Sequence, residues 1–160
     1  MLLTALVFKT ILDPHVGKLS YFRVFSGVLA SNSQAWNVVK GANERIGQLF
    51  TLRGKSQEAT TEVSAGDIGA VVRMAVTGTG DTLGLREHPL KLASIEFPEP
   101  VIRLAVHPKS KADLDKMSTA LPKLTEEDLT LKIQRDADVG EMLLCGMGDT
   151  HLEVASERLS

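Results

Sequence analysis

Of all the tripeptides in this chain of 160 residues, Gly54-Lys55-Ser56 comes nearest to a phosphate cradle. A cradle of that kind needs a further glycine five positions before the Gly-Lys pair, so that the loop can wrap its amides around a phosphate, and a helix after it. Leu49 occupies that position, the nearest upstream glycine is Gly47, and Gln57-Glu58-Ala59-Thr60 continues as a β-type segment. The tripeptide therefore reads as a basic turn between strands, and no nucleotide-hydrolysis machinery is visible. Cys145, Asp149 and His151 can be drawn as nucleophile, orienting acid and base. Yet Cys145 lies inside an apolar strand, where a thiol packs as a small hydrophobe and no helix N-terminus activates it. The expectation is a core residue. His15, His88, His107 and His151 have no His-x-x-x-His spacing and the single cysteine forms no Cys-x-x-Cys, so spacing gives no metal site. Glu126, Glu127 and Asp128 follow a helix end and read as a solvated turn. No catalytic, cofactor-binding or metal-binding residue is assigned.

What remains is positive charge. Lys40, Arg45, Arg53 and Lys55 face a single carboxylate, Glu44, between positions 40 and 55. On the rim of a β-hairpin they can neutralise phosphates, each contact releasing counterions and making binding salt-dependent; they can equally be a solvated hairpin face. Lys109 and Lys111 form a smaller pair beside a helix start, with the same two readings.

The elements that must position these residues fall into two groups. The chain is 43% hydrophobic and 24% charged, ordinary values for a folded protein and far from those of disorder. No apolar run approaches the roughly 18 residues of a membrane span, and residues 2–8 lack signal-peptide flanks. One cysteine forms no intrachain disulfide, which suits a reducing, cytoplasmic setting. A cut after His88 leaves residues 1–88 at net +2 and residues 89–160 at net −4. It also separates two kinds of pattern.

Residues 1–88 read as β throughout. Strands are expected over 5–11, 19–26, 35–39, 45–52 and 68–74, divided by turn-prone stretches such as Asp13-Pro14-His15-Val16-Gly17 and Gly78-Thr79-Gly80-Asp81. In the second strand Leu19, Tyr21, Arg23 and Phe25 alternate with Ser20, Phe22 and Val24, so both faces carry apolar groups and the strand is expected to be covered on both sides. Short strands with frequent turns predict a small, closed or nearly closed barrel.

Residues 89–160 change pattern. A strand is expected at 101–106, then a helix capped by Ser110 with Asp113 three residues on. Its apolar stripe is Leu114, Met117, Leu121 and Leu124. Pro122 costs roughly 3 kcal/mol in a helix interior, which predicts a kink or an early end. Strands at 129–133 and 142–145 flank a hairpin at 136–140. A last helix is expected over 150–159, capped by Asp149, with Leu152, Ala155 and Leu159 inward. The order β-α-β-β-α is a ferredoxin-like split βαβ without its last strand. An edge without that strand leaves backbone groups unpaired, which leads to the expectation of a fragment of a longer protein.

Several short stretches carry a family resemblance. Ala5-Leu6-Val7-Phe8-Lys9-Thr10, Asp13-Pro14-His15-Val16-Gly17-Lys18-Leu19-Ser20 and Phe22-Arg23-Val24-Phe25-Ser26-Gly27 resemble the middle portion of bacterial elongation factor G. So do Glu44-Arg45-Ile46-Gly47, Ala65-Gly66-Asp67-Ile68 and Thr79-Gly80-Asp81-Thr82-Leu83. Further on come Glu96-Phe97-Pro98-Glu99-Pro100-Val101, Lys109-Ser110-Lys111-Ala112-Asp113 and Gly146-Met147-Gly148-Asp149-Thr150-His151-Leu152-Glu153. The resemblance implies two domains: residues 1–88 as the all-β translation-factor barrel (the second domain of the factor) and residues 89–160 as most of the ferredoxin-like third domain. The chain departs from the family at Asp149-Thr150, commonly Glu-Leu, at Leu129, commonly Pro, and at Pro122.

The implied function is mechanical. Such a barrel docks on small-subunit ribosomal RNA, and such a third domain touches a small-subunit protein and relays the nucleotide state from the GTPase domain during elongation. By this analogy Lys40, Arg45, Arg53 and Lys55 are the rRNA-facing candidates, and Lys109 and Lys111 the third-domain contacts. Gly146 and Gly148 are assigned to a tight strand-to-helix turn at positive φ. GTP and Mg²⁺ belong to the parent's GTPase domain, outside this chain, and no membrane is involved. The alternatives are a divergent paralogue acting in ribosome recycling or protection, a free-standing RNA-binding barrel, and a small enzyme built on Cys145 and His151.

Overall fold

Turn chemistry divides the first part of the chain into short antiparallel strands. At the first hairpin Asp13 accepts hydrogen bonds from the amides of His15 (2.8 Å) and Val16 (3.0 Å), while Gly17 adopts φ +81°. That Asx-type turn joins β1 (Thr4–Asp13) to β2 (Gly17–Ser26). The computed structural model describes residues 1–138 and 140–159. It divides into Met1–Ile95 and a second unit from Glu96 onward. Residues 89–95 thus go with the barrel; the amide of Leu92 donates to the Thr82 hydroxyl at 3.1 Å, tying the connector to it.

Eight strands form one antiparallel sheet in the order β5-β4-β10-β1-β2-β9-β6-β7. Besides β1 and β2 these are β4 (Gln34–Asn37), β5 (Ala42–Arg45), β6 (Leu49–Arg53), β7 (Ser56–Thr60), β9 (Ile68–Val72) and β10 (Thr82–Gly84). A separate pair joins β3 (Val28–Ala30) to β8 (Glu62–Ser64). The strand expected at 45–52 is two strands, because the chain turns away between them: the Ile46 amide donates to the Ser33 carbonyl (2.9 Å) and the Asn32 amide to the Gly47 carbonyl (3.0 Å). On a flat sheet six strand spacings would hold β5 and β6 about 29 Å apart. The connecting residues 46–48 reach no more than about 14 Å. The sheet must curl, and Ala35 of β4 and Leu49 of β6 accordingly meet in one core with Val7, Phe22, Val24, Val71 and Leu83. The strands β3, β7, β8 and β10 carried no sequence signal of their own; β3, β8 and β10 are three residues long, and β7 (Ser56–Thr60) is polar and mostly exposed.

The outer surface of this sheet is not uniformly polar. The ladder registers set Leu6, Arg23 and Ile68 in one outward row, Lys9, Tyr21, Ala70, Phe50 and Ala59 in the next, and Ile11, Leu19 and Val72 in a third. Leu19 and Ala70 are both 0% exposed yet lie outside the barrel core cluster. The expectation of cover on both faces of β2 therefore holds only toward Leu19. Phe25, at the other end, is 52% exposed.

The second unit runs β11 (Ile102–Val106), α1 (Lys111–Glu127), β12 (Lys132–Arg135), β13 (Met142–Gly146), α2 (Asp149–Glu157), with the sheet in the order β11-β13-β12. Both neighbours of β13 are antiparallel to it, as a split βαβ requires. Leu121, Leu124, Leu131, Leu144, Leu152 and Ala155 form its core. Ser110 caps α1 as its sequence indicates, its hydroxyl oxygen accepting from the Asp113 amide at 3.2 Å and donating to the Asp113 carboxylate at 2.7 Å. The stripe is shorter than expected, for Leu114 is exposed. No early end occurs at Pro122: α1 continues to Glu127, because Leu121 and Leu124 on either side are buried, and burying two leucines (about 1.5–3 kcal/mol each) exceeds the loss of one helical hydrogen bond.

Two further expectations are corrected, and the expected hairpin is found. β12 begins at Lys132 rather than 129, since Asp128 first organises a turn by accepting from the Thr130 amide (2.9 Å) while its carbonyl accepts from the Leu131 amide (3.1 Å). Asp149 does not cap α2: Gly148 is the N-cap and makes no side-chain cap bond. The 136–140 hairpin is closed by Asp136 and Gly140, whose φ is +71°, and Val139 lies outside the described residues.

Candidate functional site

The structure distributes the four basic candidates over three places. Lys40 sits in the turn after β4, and Arg45 ends β5, opposite Gln34 at the far end of the same hairpin. Arg53 ends β6, and Lys55 is in the tight turn into β7, where Gly54 has φ +59°. Gly54-Lys55-Ser56 is thus a hairpin turn leading into a strand, as its sequence indicated. Among the described residues Arg45, Arg53 and Lys55 make no ion pair and are exposed. Lys40 is engaged differently: its ammonium lies 3.1 Å from the Asp81 carboxylate and also donates to the Val76 carbonyl.

That contact belongs to a buried polar network that sequence reasoning missed. Glu44, on β5 beside Arg45, is only 2% exposed. Its carboxylate accepts from the consecutive amides of Ala75 (3.0 Å), Val76 (2.8 Å) and Thr77 (2.7 Å). Burial pushes its pKa up, but these amides and the Thr77 hydroxyl outweigh burial and hold it below the ordinary value. Next to it Asn37 donates to Thr77 Oγ1 (3.1 Å) and to Asp81 (2.9 Å), and Asp81 also accepts from the Gly78 amide (2.9 Å). The network fastens the 75–81 loop to the β4–β5 hairpin. The signal lay in alternation: Glu44 falls on the inward side of its strand, where a carboxylate must be paired.

In the second unit Lys109 and Lys111 are exposed at the start of α1. Lys109 lines a shallow concavity with His107, Asp113, Lys116, Met117 and Leu159. Cys145 is buried, as expected, but not in the core: Leu144 faces the helices, so Cys145 faces away from them, between Arg103 and Lys132 in the ladder. The Cys145–His151 grouping does not assemble. His151 accepts at Nδ1 from the Met147 amide (3.0 Å) and pairs through Nε2 with Asp128 (2.8 Å). Asp128 does stand in the turn that ends α1, but its carboxylate is paired rather than free. Burial raises its pKa, but hydrogen bonds from Thr130 and His151 outweigh burial and leave it below the usual value. Glu127 likewise pairs with Arg158 at 2.7 Å.

Gly146 and Gly148 do flank a strand-to-helix turn, but neither has positive φ in the left-handed region; Gly148 is extended at φ 179°. Gly146 is required for space instead. A Cβ there would meet Leu152 Cδ2 at 2.7 Å and His151 Nδ1 at 3.1 Å.

Both units have counterparts among known proteins. The family pattern described as Elongation factor G domain 2 matches residues 2–85, and that described as Elongation Factor G, domain III matches residues 97–160. A crystal structure of a Thermus thermophilus protein superposes on 99% of the chain with a TM-score of 0.88 and 32% identity. The chain spans 24% of that protein's length. No helix among the described residues is long and apolar enough to cross a membrane. A curled antiparallel sheet followed by a β-α-β-β-α unit, each matched in order by consecutive domains of one factor, places this chain in the elongation factor G family, of which it carries the second and third domains.

Proposed function

We propose that this chain serves as the ribosome-docking and relay portion of a translational GTPase. In this reading the barrel rests on small-subunit ribosomal RNA, and the ferredoxin-like unit touches a small-subunit protein through the Lys109–Lys111 end of α1. GTP and Mg²⁺ are held by a separate GTPase domain, and the whole acts in the cytoplasm during elongation. The observation that carries the reading is the consecutive match of residues 2–85 and 97–160 to domains 2 and III of elongation factor G. Exposed Arg45, Arg53 and Lys55, free of ion pairs among the described residues, supply positive charge toward phosphates. Lys40 is exposed as well but shares its charge with Asp81 at 3.1 Å, so in this reading it contributes less than the other three.

The test uses the longer protein that contains this chain. Arg53→Glu with Lys55→Glu is expected to lower ribosome affinity about tenfold or more and to flatten its salt dependence, as loss of phosphate contacts requires. Unchanged affinity and an unchanged salt slope would overturn the rRNA assignment of these residues.

A further inference from the structure

The barrel places its aromatic side chains unusually. The chain has seven aromatic residues, and four of them, Phe8, Tyr21, Phe25 and Phe50, lie on the outer face of the sheet on β1, β2 and β6. Among the described residues Phe22 is the one aromatic in the barrel core cluster. A protein with so few aromatics gains most by burying them, at about 25 cal/mol per Å². Phe8 and Tyr21, both only half-buried, instead stand side by side on the outer face, with ring centroids 6.4 Å apart and planes inclined by 47°. Phe8 reaches this face because the ladder is irregular between Val7 and Lys9. The guanidinium of Arg23 lies 5.6 Å from the Phe25 ring centroid, and Lys9 stands opposite Tyr21. The three outward rows contain these two cations and no carboxylate.

We propose that this face is a stacking platform for unpaired RNA bases, with Phe25 and Tyr21 taking base faces and Arg23 and Lys9 the flanking phosphates. The inference rests on the reading that the barrel docks on ribosomal RNA, and it adds base contacts to the phosphate contacts given to Arg45, Arg53 and Lys55. Flat aromatic rings on an antiparallel sheet meet bases that are splayed out of a helix, whereas a duplex offers only its backbone. The cations and the missing carboxylates match a polyanion. An aliphatic protein surface would require neither.

The experiment titrates the purified chain into a fluorescein-labelled single-stranded RNA of about 12 nucleotides, followed by anisotropy, with the annealed duplex in parallel. The single strand is expected to bind more tightly than the duplex. Phe25→Leu and Tyr21→Leu keep an apolar side chain but remove the ring; each is expected to weaken binding about tenfold, the loss of one stacked base. Arg23→Gln is expected to reduce the slope of log affinity against log salt by about 0.7 between roughly 50 and 200 mM. Lys116→Gln on α1 serves as a control that changes neither, and circular dichroism verifies folding. Absence of RNA binding by the wild-type chain, or wild-type affinity in both leucine variants, would overturn the proposal. So would self-association of the chain that Phe25→Ser abolishes without any RNA binding, which would assign the face to a protein partner. Each of these results leaves ribosome docking through Arg53 and Lys55 standing, because that is read separately in the longer protein.

Discussion

At the scale of single residues, the side chains that decide this structure are those whose type conflicts with their surroundings. Glu44 is a carboxylate on the inward side of a strand, and three consecutive amides at 2.7–3.0 Å answer it. Glu44→Gln sets an amide group against those donors and is expected to cost about 3 kcal/mol in chemical denaturation. The same contact depends on pH. The folded-state pKa of Glu44 is depressed below its ordinary 4.5, so its stabilising contribution is complete above that value and is lost as pH falls through the depressed one. A stability profile measured below about pH 5 should therefore fall less steeply for Glu44→Gln than for the wild-type chain. Gly146 and Gly148 form a natural control pair. Gly146→Ala drives a methyl group into Leu152, which is itself buried, and should cost about 1–3 kcal/mol. Gly148→Ala meets nothing within 4 Å at an extended φ and should leave the melting temperature nearly unchanged.

At the scale of elements, the second unit was the more legible. Ser110 announced the start of α1, and the leucine spacing gave the buried stripe that carries the helix past Pro122. The proline nonetheless removes one backbone donor, so Pro122→Ala is expected to raise stability by about 1–3 kcal/mol, read as a higher melting temperature. Ser110→Ala should lower it by about 1 kcal/mol through loss of the cap. The barrel was harder to read, for a physical reason. Its strands β3, β8 and β10 are too short for alternation to register, and the break at 46–48 is made by contacts with residues 32 and 33 rather than by glycine or proline chemistry. The basic cluster was legible only as composition. Sequence distance put Lys40 beside Arg45, whereas the hairpin sets them at opposite ends and gives Lys40 to Asp81. The outward aromatics were partly visible in the alternation of β2, but their grouping depends on registers between strands that no local pattern encodes.

At the scale of the whole chain, each unit has its own hydrophobic core, and the ferredoxin-like sheet has β11 at an open edge with Leu104 46% exposed. Unpaired amides and carbonyls beside an apolar side chain invite strand-to-strand association. Concentration-dependent light scattering is therefore expected for this chain, and Leu104→Lys should suppress it without changing the circular dichroism spectrum. The barrel answers the same hazard by curling. Three connecting residues bind strands that a flattened sheet would hold far apart, so the sheet cannot flatten unless β5 or β6 first leaves its neighbours, and opening this barrel means unfolding one of its strands.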